Sequence, residues 1–134
     1  MGLTHVKAKV ANPANPRKTA NLTFLVGSGA VYSIVPGETL RRLGNELPRS
    51  KLRGIQPVGI KPHSSRTFTL ADGTEIKRRI GDVIFQINGE RGASPVIFGE
   101  KGDSILLGTV SLEALGFMLD PIKRVLKPLP MVLG

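Results

Sequence analysis

Few residues of this chain have side chains suited to chemistry. Gly27-Ser28-Gly29 stands between two apolar runs, Phe24-Leu25-Val26 and Ala30-Val31-Tyr32-Ser33-Ile34-Val35. A tight loop held between two buried strands is a common seat of function. Ser28 offers a hydroxyl, but no adjacent His or Lys would activate it as a nucleophile. The glycines also suggest a phosphate cradle, in which backbone N–H groups approach an anion. That fingerprint needs a third glycine and an immediate helix. Tyr32 occupies the third place, Val31, Ile34 and Val35 favour strand, and Pro36 stops a helix early. Elsewhere, His5 and His63 each stand alone and no cysteine is present, which excludes disulfides and thiolate chemistry. No His/Cys/Asp/Glu cluster has metal-ligand spacing, so neither a metal nor a cofactor is expected.

The elements that must position this loop follow from patterning. Val6, Ala8 and Val10 alternate with Lys7 and Lys9, an amphipathic strand with one wet face, and Asn12-Pro13-Ala14-Asn15-Pro16 breaks it. After the loop, Pro36 to Gly44 predicts one or two helical turns, with Glu38 early, Arg41 and Arg42 late and Gly44 closing the run. Asn45 to Ser65 has little period and reads as loop with short strands. Asp72-Gly73 between β-prone runs predicts a hairpin, and Asn88-Gly89 a second one, between a strand over Ile80 to Asn88 and another over Ser94 to Phe98. Ile105-Leu106-Leu107-Gly108 is a short apolar run, and Ser111 to Leu115 a short helix closed by Gly116. Val125-Leu126 and Met131-Val132-Leu133 are apolar pieces between prolines, suited to an edge or an interface.

The 134 residues suffice for one domain, taken as 1–134, and ten prolines with sixteen glycines favour short strands and turns over long helices. The expected class is all-β with one or two short helices. A net charge of +9 admits nucleic acid, anionic lipid or acidic peptides as partners. The basic residues are scattered and only 4% of residues are aromatic, so no base-stacking platform interleaves with them. A basic nucleic-acid-binding β domain is therefore kept only as a second alternative. The sequence has no apolar stretch near the length of a membrane span and none of signal-peptide length at its start, and a cytoplasmic location is the expectation.

Leu25-Val26-Gly27-Ser28-Gly29-Ala30 resembles the signature of the retroviral-type (retropepsin-like, clan AA) aspartic proteases, hydrophobic-hydrophobic-Asp-Ser/Thr-Gly-Ala. It differs at one place, the catalytic aspartate, which is Gly27. Two further motifs follow in the family's order. Leu70-Ala71-Asp72-Gly73 falls where the family has its flap. Ile105-Leu106-Leu107-Gly108, followed by Ser111 to Gly116, is similar to its second hallmark, a hydrophobic pair plus Gly ahead of a C-terminal helix. The run from Leu107 to Pro121 resembles the prokaryotic branch of the clan. In outline the likeness spans about residues 5 to 128.

The resemblance implies a closed β-barrel of the acid-protease type and a homodimer, since one chain carries one loop and the chemistry needs two carboxylates. It implies a peptide or protein substrate. Ser28 would bond across the dimer, Gly29 would allow the tight turn and leave room for substrate, and Ala30 would pack beside it. Ala30, Ala71, Asp72, Gly73, Thr74, Leu107 and Gly108 would contact substrate. With Gly27 in place of the acid, both carboxylates of a symmetric dyad are lost together, so an endopeptidase scaffold inactive as written is expected. The loss is either an engineered change that prevents self-cleavage or a natural one that leaves a peptide-binding module.

Overall fold

The computed structural model describes residues 4–27, 29–43 and 59–130. Strand β1 (Thr4–Asn12) and strand β2 (Asn15–Val26) form an antiparallel hairpin with Thr4 opposite Val26. The alternation read from β1 holds: His5, Lys7 and Lys9 are exposed, while Ala8 and Val10 are buried. Strand β3 (Ser33–Pro36) leads directly into helix α1 (Gly37–Arg42), where Glu38 in the first turn pairs with Arg42 in the last. Both placements suit the helix dipole. Gly44, expected to close this helix, lies outside the described residues, as do 45–58 of the segment read as loop.

Strand β4 (Ser64–Thr69) and strand β5 (Glu75–Ile87) are the arms of the hairpin predicted at Asp72-Gly73. The expected strand over Ile80 to Asn88 is longer than read. It begins at Glu75 and carries Lys77-Arg78-Arg79 within it, because β4 pairs with its first half and strand β6 (Glu90–Gly99) with its second. Asn88 and Gly89 join β5 to β6, with φ of 50° and 83°. Positive φ at both central residues is the two-residue turn whose twist matches a hairpin. Strand β7 is only Leu106–Leu107, helix α2 is Thr109–Leu115, and strands β8 (Phe117–Asp120) and β9 (Val125–Pro128) pair as a separate ribbon. Phe117 to Asp120 is thus a strand, with Asp120 opposite Val125. Met131 to Leu133 lie outside the described residues.

The strand order β1-β2-β7-β3-β6-β5 closes on itself because β1 also pairs with β5, Val10 opposite Phe85. The fold is therefore a closed, mostly β barrel with two short helices among the described residues and β4 appended at its rim. Closure removes the edges of the ring and turns alternate side chains inward. Phe24 and Phe85 meet edge to face at 5.7 Å in the interior, with Val10, Val26, Val35, Val83, Val96 and Leu107 buried around them. Each such side chain contributes about 1.5–3 kcal/mol by leaving water. Among the described residues no helix is long and apolar enough to cross a membrane.

Candidate active site

The loop 27–32 leaves the barrel at the end of β2 and returns as β3. Between these two strands sits β7, parallel to β2 with Val26 beside Leu107, and antiparallel to β3 with Ile34 beside Leu106. Leu25 N–H donates to Ile105 O at 2.9 Å, extending the first pairing. Helix α2 begins immediately after β7 and its first N–H groups, which have no partner within the helix, are satisfied by the loop. Thr109 N–H donates to Ala30 O at 2.9 Å and Val110 N–H to Val31 O at 3.1 Å. The loop is held on both flanks by backbone, as the flanking apolar runs imply.

The close backbone approach expected at the Gly-Ser-Gly turn occurs on its far side, at Gly108. A Cβ there would lie 2.4 Å from Val31 O and 2.5 Å from the Tyr32 carbonyl carbon. Only a residue without a side chain lets β7 and the loop meet at this distance, which gives the Leu-Leu-Gly motif its physical reason. Gly27 and Gly29 differ. Neither has a φ in the left-handed region, and a Cβ on either would meet nothing within 4 Å. Within one chain, neither backbone strain nor crowding demands glycine at 27 or 29. Ser28 lies outside the described residues.

Beneath the loop, three hydroxyls form a buried chain that sequence reading missed. Gly108 N–H donates to Ser33 Oγ at 2.8 Å, Ser33 Oγ meets Ser111 Oγ at 2.5 Å, Ser111 Oγ meets Ser94 Oγ at 2.8 Å, and Ser94 Oγ donates to Pro95 O at 3.0 Å. With the terminal acceptor fixed, each hydroxyl accepts one bond and donates the next, so all three are satisfied. The chain ties β3, β6, α2 and Gly108, just past β7, into one unit. The only available sign was a polar residue, Ser33, directly before the apolar Ile34-Val35.

The tip of the β4–β5 hairpin, Leu70 to Thr74, where a flap was expected, is exposed and internally bonded. Leu70 N–H donates to Thr74 O, Gly73 N–H to Leu70 O, and Thr74 N–H to Asp72 Oδ1 at 2.9 Å. Thr74, through its side chain and its backbone, holds the Asp72 carboxyl below its ordinary range. Ala71, Asp72, Gly73 and Thr74 are thus grouped with one another. Gly27, Ala30, Leu107 and Gly108 form a second group at the loop. The described contacts between the β4–β5 hairpin and the loop lie one step below the tip. Arg66 Nη1 donates to Tyr32 Oη at 2.7 Å, and Phe68 meets the Tyr32 ring edge to face at 5.8 Å. Tyr32 entered the sequence reading only as the residue that fills a glycine's place.

Asp103 is paired with Arg78. Arg78 Nε and Nη2 donate to its two oxygens at 2.8 and 3.0 Å, and Oδ2 also accepts from Glu100 N–H at 2.7 Å. The Arg78 guanidinium holds this carboxyl below the usual range. The pair pins β5 to the turn that precedes β7. His63 is exposed in the approach to β4, with Nε2 3.3 Å from Asp82 Oδ1. No group of three or more potential metal ligands occurs among the described residues. On the other flank of the loop, an apolar cleft of about 300 Å³ is lined by Gly27, Leu112, Phe117, Met118, Leu119 and Leu129 with their neighbours.

No family model matches the chain, and no curated protein matches it. Among solved structures it is similar to the solution structure of the simian foamy virus (mac) protease. The two are 16% identical, with a TM-score of 0.47 over 82% of this chain and 92% of that one.

Proposed function

We propose that this chain is a single-domain aspartic-endopeptidase scaffold of the retropepsin-like type, prokaryotic branch, that works as a homodimer when residue 27 is an acid and is inactive as written. The observation that carries the reading is the setting of Gly27. It follows the buried end of β2 at Phe24 and Val26, its loop is clamped by β7 and α2, and the direction a side chain would take is open. The family's aspartate belongs at this position, and nothing in the local backbone resists one.

With Asp at 27, two copies facing across a two-fold axis would bring two carboxylates together. Like charges at that distance share one proton. The ionised partner would take a proton from a water, and the protonated one would polarise the scissile carbonyl. Gly27 removes base and acid together. Ser28 is not expected to replace them, since no His or Lys adjoins it in the sequence.

The test is Gly27→Asp. Hydrolysis of a broad peptide library with a bell-shaped pH profile below neutrality is the expected result, the two limbs belonging to the pair rather than to either residue. A folded Gly27→Asp dimer that cuts no peptide overturns the protease reading. The second reading, a peptide-binding module, is favoured by the exposed β4–β5 hairpin standing beside the loop through Arg66 and Tyr32, an arrangement suited to taking an extended peptide by strand addition. Saturable peptide binding by the chain as written tests it.

A further inference from the structure

We infer that Arg66, Tyr32 and Phe68 form a subsite that selects an acidic side chain of an extended peptide, an inference that rests on the reading of the flap-and-loop cleft as a peptide groove. The register of the flap separates two faces. Arg66 lies opposite Arg78 and Phe68 opposite Ile76 on one face, while Thr67 lies opposite Lys77 and Thr69 opposite Glu75 on the other. Phe68, Ile76 and Arg78 are partly buried, whereas Thr67, Thr69, Glu75 and Lys77 are all exposed. The first face therefore turns toward the protein, where Phe68 and Arg66 meet Tyr32.

The two arginines on that face are treated differently. Arg78 is matched by Asp103, with Glu100 3.4 Å away. Arg66 has no carboxylate within ion-pair distance among the described residues. Among the described residues its hydrogen bond goes to the Tyr32 hydroxyl, and its central carbon lies 5.8 Å from the centre of the same ring. Those contacts restrain the guanidinium and, among the described residues, leave its charge unmatched by a carboxylate. They use one of five N–H donors, and the others form a planar fork that matches a carboxylate. The Tyr32 ring beside the fork, itself packed edge to face on Phe68, covers one side of the guanidinium and strengthens the pairing. The net charge of +9 would further favour the approach of acidic segments.

The experiment measures binding by the chain as written, which cuts nothing and gives equilibrium affinities. Fluorescent extended octapeptides are compared in pairs that differ only by Glu or Gln, the substituted position being moved along the peptide. At one position Glu is expected to bind about fivefold tighter at low salt, in the range of a partly exposed charge pair. Arg66→Gln should bring that ratio near one, and Arg66→Glu should invert it in favour of a Lys-containing peptide. Lys77→Gln, which removes the same charge from the outer face of the flap, should leave the ratio unchanged. Equal loss in Lys77→Gln and Arg66→Gln, or no Glu preference at any position, overturns the subsite while the peptide groove stands. If no peptide of either kind saturates, the groove and its subsite fall together.

Discussion

At the scale of the residue, two glycines of the site make opposite demands. Gly108 is fixed by crowding, since its Cβ would press into the backbone of Val31 and Tyr32. Gly108→Ala must push β7 off the loop and is expected to cost about 3 kcal/mol, the upper end of what overpacking a tight site does. Gly27 has no such constraint, and Gly27→Ala is expected to stabilise the fold by about 0.4–1 kcal/mol, because the unfolded chain loses freedom and the folded one accepts the methyl. Urea unfolding of the two variants checks both signs together. A Gly27→Ala variant that loses stability would mean that the glycine serves the fold rather than standing in an acid's place. The buried hydroxyl chain gives a third expectation. Ser111→Ala leaves Ser33 without an acceptor and Ser94 without a donor beneath the loop, and should cost about 1–3 kcal/mol in the same measurement.

At the scale of the element, the β4–β5 hairpin is anchored at its base. Among the described residues its tip bonds to itself, while β5 is tied to the turn before β7 through Arg78 and Asp103. Asp103 is held below its usual pKa in the folded chain, chiefly by Arg78. A carboxyl so depressed adds stability that is fully present above its unfolded value of about 3.9, and that stability is lost as the pH falls through this value toward the folded one. The urea midpoint of the chain as written should therefore drop between pH 6 and pH 3 by more than that of Asp103→Asn. Equal drops would remove this ion pair from the acid response. The elements were largely legible beforehand, because each signal was local: Asp72-Gly73 and Asn88-Gly89 for the turns, the Val6, Ala8, Val10 alternation for β1, and Gly116 after α2. The lengths of β5 and β8 were not. Lys77-Arg78-Arg79 reads as solvated charge until β4 is known to pair with it, and Phe117 to Asp120 becomes strand only because Val125–Pro128 returns alongside. The serine chain and the Arg66–Tyr32 contact join residues 17 to 78 positions apart, and nothing in local pattern announces such pairs.

At the scale of the whole molecule, the barrel closes its own ring but leaves apolar surface beside the loop. Ile122 is 90% exposed and Val125 50% exposed on the β8–β9 ribbon. The ribbon flanks the apolar cleft that Gly27, Leu112 and Phe117 help to line. A chain of this size buries a limited core, and a second copy covering ribbon and cleft would place the two 27 loops near a common axis, the arrangement the proposed dyad requires. If the homodimer is the native state, folding and association are linked by mass action. The thermal midpoint should then rise with protein concentration over a hundredfold range, and sedimentation should give a mass of two chains at the upper end. Ile122→Asp puts a charge into the proposed contact without touching the barrel. It should yield a folded single chain whose midpoint no longer depends on concentration, and in the Gly27→Asp background it should abolish peptide hydrolysis while leaving the β-sheet circular dichroism intact. A concentration-independent midpoint in the unaltered chain, together with a single-chain mass, would sink the dimer and with it any route to a two-carboxylate site.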